Sequence, residues 1–215
     1  MNQQQNQNMN QQQAGAQPPT GAGMNHGGHE MFDLHETLAG IINVLDQFMM
    51  FRQYVQDKEL VSLLERQYDF ILQQYNTVVE AFQTGQKPTV ETQTYMMTQS
   101  NEVVYGLTPS QPKKPNQSLA DISDQGITGH MLGLIKSMAS FHAMTAVEVT
   151  NPVVRRVLAD SVPNYVEMAY EIFLYQNKHG YYQVPQLTTN DTYSMLNAFA
   201  PAKNKPQMPM NQIKH

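Results

Sequence analysis

An all-α fold, four long helices forming two helical hairpins joined by one long crossover, is what the amino-acid sequence predicts. Three observations carry the prediction. Apolar residues recur at steps of three and four along four long stretches. A short polar break divides each pair of stretches, and a segment dense in proline and glycine separates the two pairs. Stretches of about 24 residues give helices of about 36 Å at 1.5 Å per residue, which suits lengthwise packing.

Residues 1–28 open with asparagine and glutamine at eleven of the first thirteen positions, then turn to Gly, Ala and Pro. Such a composition supplies no core, so this tail is expected to be disordered. The first hairpin is expected over 29–83. Met31, Leu34, Leu38, Ile41, Leu45 and Phe48 form one stripe, which Arg52 interrupts and Val55 resumes. After the charged break Asp57-Lys58-Glu59, a second stripe runs through Val61, Leu64, Tyr68, Leu72, Tyr75, Val79 and Phe82.

The crossover, 84–120, holds Gly85, Pro88, Gly106, Pro109, Pro112 and Pro115, which forbid a continuous helix. A short helix is expected within it, from Thr89 to about Gln99. The second hairpin, 121–182, starts with Ile127, Met131, Leu134, Met138, Phe141 and Thr145 on one stripe. Asn151-Pro152 supplies an N-cap and first-turn pair for the fourth helix. That helix is expected to end at Lys178 or His179, with Gly180 as its cap and a kink at Pro163. Residues 186–215 read as a short helix followed by a flexible polar tail. Laid over each other without a gap, the halves bring Leu38, Gly40, Phe48, Val61 and Leu64 onto Met131, Gly133, Phe141, Val154 and Val157. Two hairpins with one long crossover have the ferritin-like connectivity.

Composition narrows function. Hydrophobic residues make up 40% and charged residues 14% of the chain, both below the usual globular share. The difference is amide, 26 Gln and 16 Asn. A net charge of −5, without a basic stripe, argues against nucleic acid or an anionic membrane as partner. With no cysteine, disulfides, thiolate nucleophiles and cysteine-ligated metals are excluded. The opening MNQQQNQNMNQQQ lacks the charged and apolar regions of a secretory signal, so synthesis in a cytoplasm is expected. No apolar run approaches the length that spans a bilayer.

The stretch Ser123 to Pro185 carries several parts in order: Asp124 with small residues behind it, Leu134-Ile135-Lys136-Ser137, Glu148 before Asn151-Pro152, Arg155, and the terminal Gly180-Tyr181-Tyr182. In these it resembles the coat F family of spore coat proteins, and the N-terminal hairpin fits the family's longer members more loosely. The resemblance implies a ferritin-like bundle, a place in the spore coat after synthesis in the sporulating cell, and other coat proteins as partners. It assigns no reaction and no cofactor. Homo-oligomerisation is compatible with it. Eleven tyrosines and a glutamine-rich tail suit a protein destined for an insoluble shell, since tyrosines couple oxidatively and glutamines donate acyl groups to lysine amines. The alternatives are ordinary packing for tyrosines on the stripes, such as Tyr68, Tyr75 and Tyr165, and for the tail either an inert solubilising extension or an adhesive amide tract.

A ferritin-like bundle raises the question of a carboxylate metal centre, which needs a Glu from each of two helices and Glu-x-x-His from the other two. No Glu-x-x-His occurs in the chain; the nearest forms are Glu65-x-x-Tyr68 and Glu167-x-x-Tyr170, with Glu36 and Glu148 as lone carboxylates. The halves' alignment carries Glu36 to Gly129, Val55 to Glu148 and Glu65 to Leu158, so the four do not follow the repeat. Phenol is also a poor substitute for imidazole. The expectation is no metal, with Glu36, Glu65, Glu148 and Glu167 as the alternative ligand set for an iron- or peroxide-handling protein. Glu148 is expected instead to pair with Arg52 at or near the core, and His142 to sit satisfied at the core's edge. His29, Asp33 and Glu36 share a face and read as a solvated helix start. No phosphate loop or nucleophile elbow occurs, and no catalytic residue is expected.

Overall fold

The computed structural model describes residues 26–204 and 206. The tail expected over 1–28 therefore lies outside the described residues except for its last three positions, as does most of the polar C-terminal tail. Among the described residues the chain is all-helical, with five α-helices and no strand; a lone bridge pairs Tyr105 with Val184.

Four of the five helices begin where a side chain satisfies their first free N–H groups, and the first is the exception. Helix α1, Gly28–Arg52, has no capping side chain at Gly27, and Glu30 reaches back to accept the Gly27 N–H at 3.2 Å. Helix α2, Lys58–Thr84, starts at Asp57, which accepts the Glu59 N–H at 2.9 Å, and stops at Gly85, whose φ of 63° suits a residue without Cβ. Helix α3, Asp124–Glu148, is capped by Ser123. Helix α4, Pro152–Lys178, is capped by Asn151, which accepts from Val153 and Val154 at 2.9 and 3.1 Å. It passes through Pro163 as continuous α-helix and ends before Gly180, with φ of 70°. Helix α5, Thr189–Leu196, follows, capped by Thr188.

Helix α1 packs on α2 and α3, and α4 packs on the same two, so the four long helices close a ring around a shared interior. The main cluster includes Ile41, Phe48, Leu60, Ile71, Met131, Ile135, Met168 and Ile172. A second, around Leu34, Val78, Val154 and Leu158, fills the end where α2 finishes and α4 begins. Each such side chain contributes about 1.5–3 kcal/mol through burial.

Two stripes differ from the expectation. On α2 the buried residues are Leu60, Leu63, Leu64, Gln67, Ile71, Gln74, Thr77, Val78 and Ala81. Leu72 is exposed, and Val61, Tyr68, Tyr75 and Val79 are only half-buried. The interior face was masked in the pattern by Gln67 and Gln74, which enter because α4 offers them partners. Gln67 donates to the Met168 carbonyl at 3.1 Å, and Gln74 donates to the Ser161 hydroxyl. On α3, Ile135 and His142 point inward while Leu134 and Phe141 are half-buried.

The helix expected from Thr89 to Gln99 is absent. Residues 86–118 form an irregular strap, closed by a single 3-10 turn at Leu119–Asp121.

Candidate functional site

The strap is held by side-chain amides that imitate a neighbouring strand. Asn164 accepts the Tyr95 N–H at 2.9 Å and donates to the Gln93 carbonyl at 2.8 Å. Asn177 accepts the Val104 N–H at 2.7 Å and donates to the Val104 and Tyr182 carbonyls at 3.0 and 2.9 Å. Gln183 accepts from and donates to Thr108 at 2.6 and 3.0 Å. Each amide thus meets both a donor and an acceptor of extended backbone, the pairing a ladder would supply. Two of the three stand on α4 and the third just past its end. The abundance of amide in the sequence has a structural use here.

Beneath the strap lies a highly coordinated charge. Glu171 is fully buried on α4. It accepts from Arg66 at 2.5 Å, Gln67 at 3.2 Å, the Thr98 N–H at 2.8 Å and the Tyr95 hydroxyl, which itself accepts from Arg66 at 3.2 Å. Burial pushes the Glu171 carboxyl up, but these donors outweigh it and hold the group below the usual carboxylate range. The phenol of Tyr95 moves the other way, raised by burial and by the carboxylate beside it.

A second buried carboxylate closes the opposite end of the ring. Glu30 accepts from the Thr150 hydroxyl at 2.5 Å and from the Thr150 and Asn151 N–H groups at 2.9 and 3.3 Å, joining the start of α1 to the corner between α3 and α4. His26 bridges it to α2, with Nδ1 2.7 Å from Glu30 and Nε2 3.0 Å from the Phe82 carbonyl. Burial raises the Glu30 carboxyl, and the Thr150, His26 and Gly27 contacts more than compensate, leaving it lowered. The only sequence signal for this role was its third position in the first helical turn.

At the start of α2, Asp57, Glu59 and His179 place potential ligand atoms within 4.8 Å of one another. Their chemistry is already committed. Lys178 holds both Glu59 oxygens at 3.0 and 2.9 Å, and the Tyr175 hydroxyl donates to Asp57 at 2.7 Å. The Asp124 carboxylate accepts the Gln56 and Asp57 N–H groups, each at 3.0 Å, tying α3 to this turn.

The four sequence-nominated carboxylates are not brought together. Glu36, Glu65 and Glu148 are exposed and Glu167 is half-buried. Arg52 pairs at 2.7 Å with Glu65 on the surface rather than with Glu148, which overturns the expected interior pair; Val55 takes no such charge with it, being half-buried itself. His29 is exposed and Asp33 half-buried. His142 lies deeper than expected. It is fully buried, with Nδ1 2.9 Å from the Met138 carbonyl, while Nε2 and the Tyr165 hydroxyl have no partner and their rings stand 4.6 Å apart. Desolvation pushes the His142 imidazole down to about 4. Above it, the Thr37 and Thr145 hydroxyls bond at 2.9 Å across α1 and α3. Among the described residues no helix is long and apolar enough to cross a membrane.

The half of the fold that supplies the amide clamps, Glu171 and the corner at Asn151 is also the half that a family model recognises. The model, described as the Coat F domain, matches residues 123–185, covering α3, α4 and the turn after it. Over 186 residues the chain is 57% identical to the spore coat protein F-like protein YhcQ of Bacillus subtilis (strain 168), a match spanning 86% of this chain and 85% of that one. The chain therefore belongs to the spore coat protein F-like family, and the spore coat is its location. No solved structure matches it.

Proposed function

We propose that the chain is a non-enzymatic structural component of the spore coat, a four-helix bundle of the ferritin-like type that acts by association with other coat proteins. One observation carries this reading beyond family membership. The two buried carboxylates among the described residues, Glu30 and Glu171, are saturated with donors from separate chain segments. A general acid or base needs a face open to a substrate, and a metal ligand needs a free lone pair. Here the strongest polar groups hold helix ends and the strap in place. Residues 29–185 act as one folded unit, and the amide-rich segments on either side add weak multivalent contacts. No resident metal or cofactor belongs to this reading.

Fractionation of sporulating cells and purified spores, with immunoblotting of soluble, coat-extract and decoated fractions, tests it. Recovery mainly in the coat extract, unchanged in quantity for Glu171→Gln protein that still folds, is the expected result. Recovery as soluble protein of the mother cell or spore core would remove the structural role.

A further inference from the structure

The half-buried second face of α2 does not finish its packing on α1. The Arg52–Glu65 ion pair and the edge-on contact of His35 with Phe82 set the antiparallel register of α1 and α2. That register lays Met49 beside Tyr68 and Ile42 beside Tyr75. Met49, 60% exposed, lines a groove on the outside of the first hairpin with Arg52, Leu64 and Tyr68, and by the same register Ile42 and Leu72, 42% and 39% exposed, extend its apolar face along the two helices. At one end it deepens between Met49, Leu64 and Tyr68. Its rim carries exposed Glu65 and Asp69 against Arg52, itself committed to Glu65, and Asp46, one turn before Met49 and Met50 on α1, is exposed as well.

Helix α5 presents the complement. It is capped by Thr188 and Asp191, yet none of its residues is buried. Tyr193 and Leu196, one turn apart, are 70% and 75% exposed, and Phe199 just past its end is 90% exposed. An eight-residue helix is marginal alone in water, so a cap and an aromatic–aliphatic stripe with no partner describe a helix shaped for another surface. The chain beyond Asp191 carries Lys203, Lys205 and Lys214 and no acidic residue. Its charge is opposite to that of the groove's rim.

We propose that α5 of one copy docks in the α1–α2 groove of a second copy, with Tyr193, Leu196 and Phe199 on Ile42, Met49 and Leu72 and Lys203 towards the acidic rim. The mode is an amphipathic helix in an apolar groove. The two surfaces differ, so the contact is heterologous, and where its rotation does not close a ring each copy keeps a free groove at one end and a free helix at the other. The chain is then a head-to-tail polymerising unit. This deepens the structural reading above and rests on it for its biological meaning, although the contact itself is a property of the purified chain.

The test uses full-length protein in two variants, Tyr193→Glu/Leu196→Glu in the helix and Met49→Glu/Leu72→Glu in the groove, both at exposed positions and both verified by thermal unfolding. Sedimentation velocity over a range of concentrations should show open-ended assembly of the unmodified chain, and at least a tenfold rise in the concentration needed for assembly in either variant alone. Mixed, the two variants retain one intact helix and one intact groove between them, so they should form a one-to-one heterodimer and nothing larger. A chain that stays monomeric, variants that assemble like the parent, or a mixture that yields no heterodimer would each overturn the proposal. A monomer whose α5 amides are protected from hydrogen exchange, and lose protection in the groove variant, would show docking within one chain and overturn it too. Coat fractionation of the same variants reads the broader function separately. A chain monomeric in solution but recovered in the coat sinks only the polymer; one that polymerises but never reaches the coat sinks only the coat role.

Discussion

Glu171 accepts from Arg66 and Gln67 on α2 and from Tyr95 and Thr98 of the strap, so removing it strands several groups at once. Glu171→Ala should destabilise the protein by about 3–5 kcal/mol, the cost of leaving a buried ion partner uncompensated, read from urea unfolding midpoints. His142 makes a prediction of a different kind. Its imidazole is neutral in the fold and charges more readily in the unfolded chain, because burial lowers it from 6.5 to about 4. Its contribution is therefore complete above about pH 6.5 and is lost as pH falls towards 4, a difference of about 3 kcal/mol. Unfolding midpoints measured from pH 7 to 4 should slope accordingly in the parent and flatten in His142→Met. The lowered carboxyls of Glu30 and Glu171 act in the same direction but below the ordinary carboxylate range, so the two windows separate. A parent protein with no slope between pH 6.5 and 4.5 would refute the assignment to His142.

At the scale of elements, the amide clamps bear on how the strap stays down. Asn177→Ala removes three hydrogen bonds to backbone and should cost about 1–2 kcal/mol, with faster hydrogen exchange confined to Val104 and its neighbours. Global loss of protection instead would mean that the strap and the helices unfold together. The helices themselves were legible from their apolar spacing, and the ends of α4 because they are written locally, Asn151-Pro152 as start and Gly180 as stop; the caps at Asp57, Ser123 and Gly85 are seen in the structure. The inward face of α2 was not legible, since a count of apolar letters passes over Gln67 and Gln74 and selects Tyr68 and Leu72 instead. What admits a glutamine to the core is a carbonyl or hydroxyl on α4, more than eighty positions away in sequence. The strap failed for the same reason. Residues 89–99 have no breaker of their own, and their conformation is decided by Asn164 and Glu171 on a helix that forms from another part of the chain. For Glu30 the local signal indicated a cap, and only the fold adds Thr150.

For the molecule as a whole, the described structure places the first essential contact at His26, which joins Glu30 to Phe82. Deletion of residues 2–25 should therefore leave the thermal midpoint within about 1 °C of the parent by calorimetry, whereas His26→Ala in the full chain should lower it by several degrees, the shift that about 1 kcal/mol produces in a domain of this size. If the first deletion also destabilises, the amide tract has a place in the fold.

The clamped strap has one more consequence. Proteases take hold of a substrate by drawing it out as a strand and pairing with its main chain, and an exposed, irregular crossover is normally the first place they cut. Around Tyr95, Val104 and Thr108 the hydrogen-bonding edge of that chain is already spoken for by Asn164, Asn177 and Gln183. Uncharged amides make this grip indifferent to salt and to pH. A linker that looks open in sequence should thus resist cleavage at these three points, and limited proteolysis is expected to cut it first in the unclamped, exposed stretch 109–118.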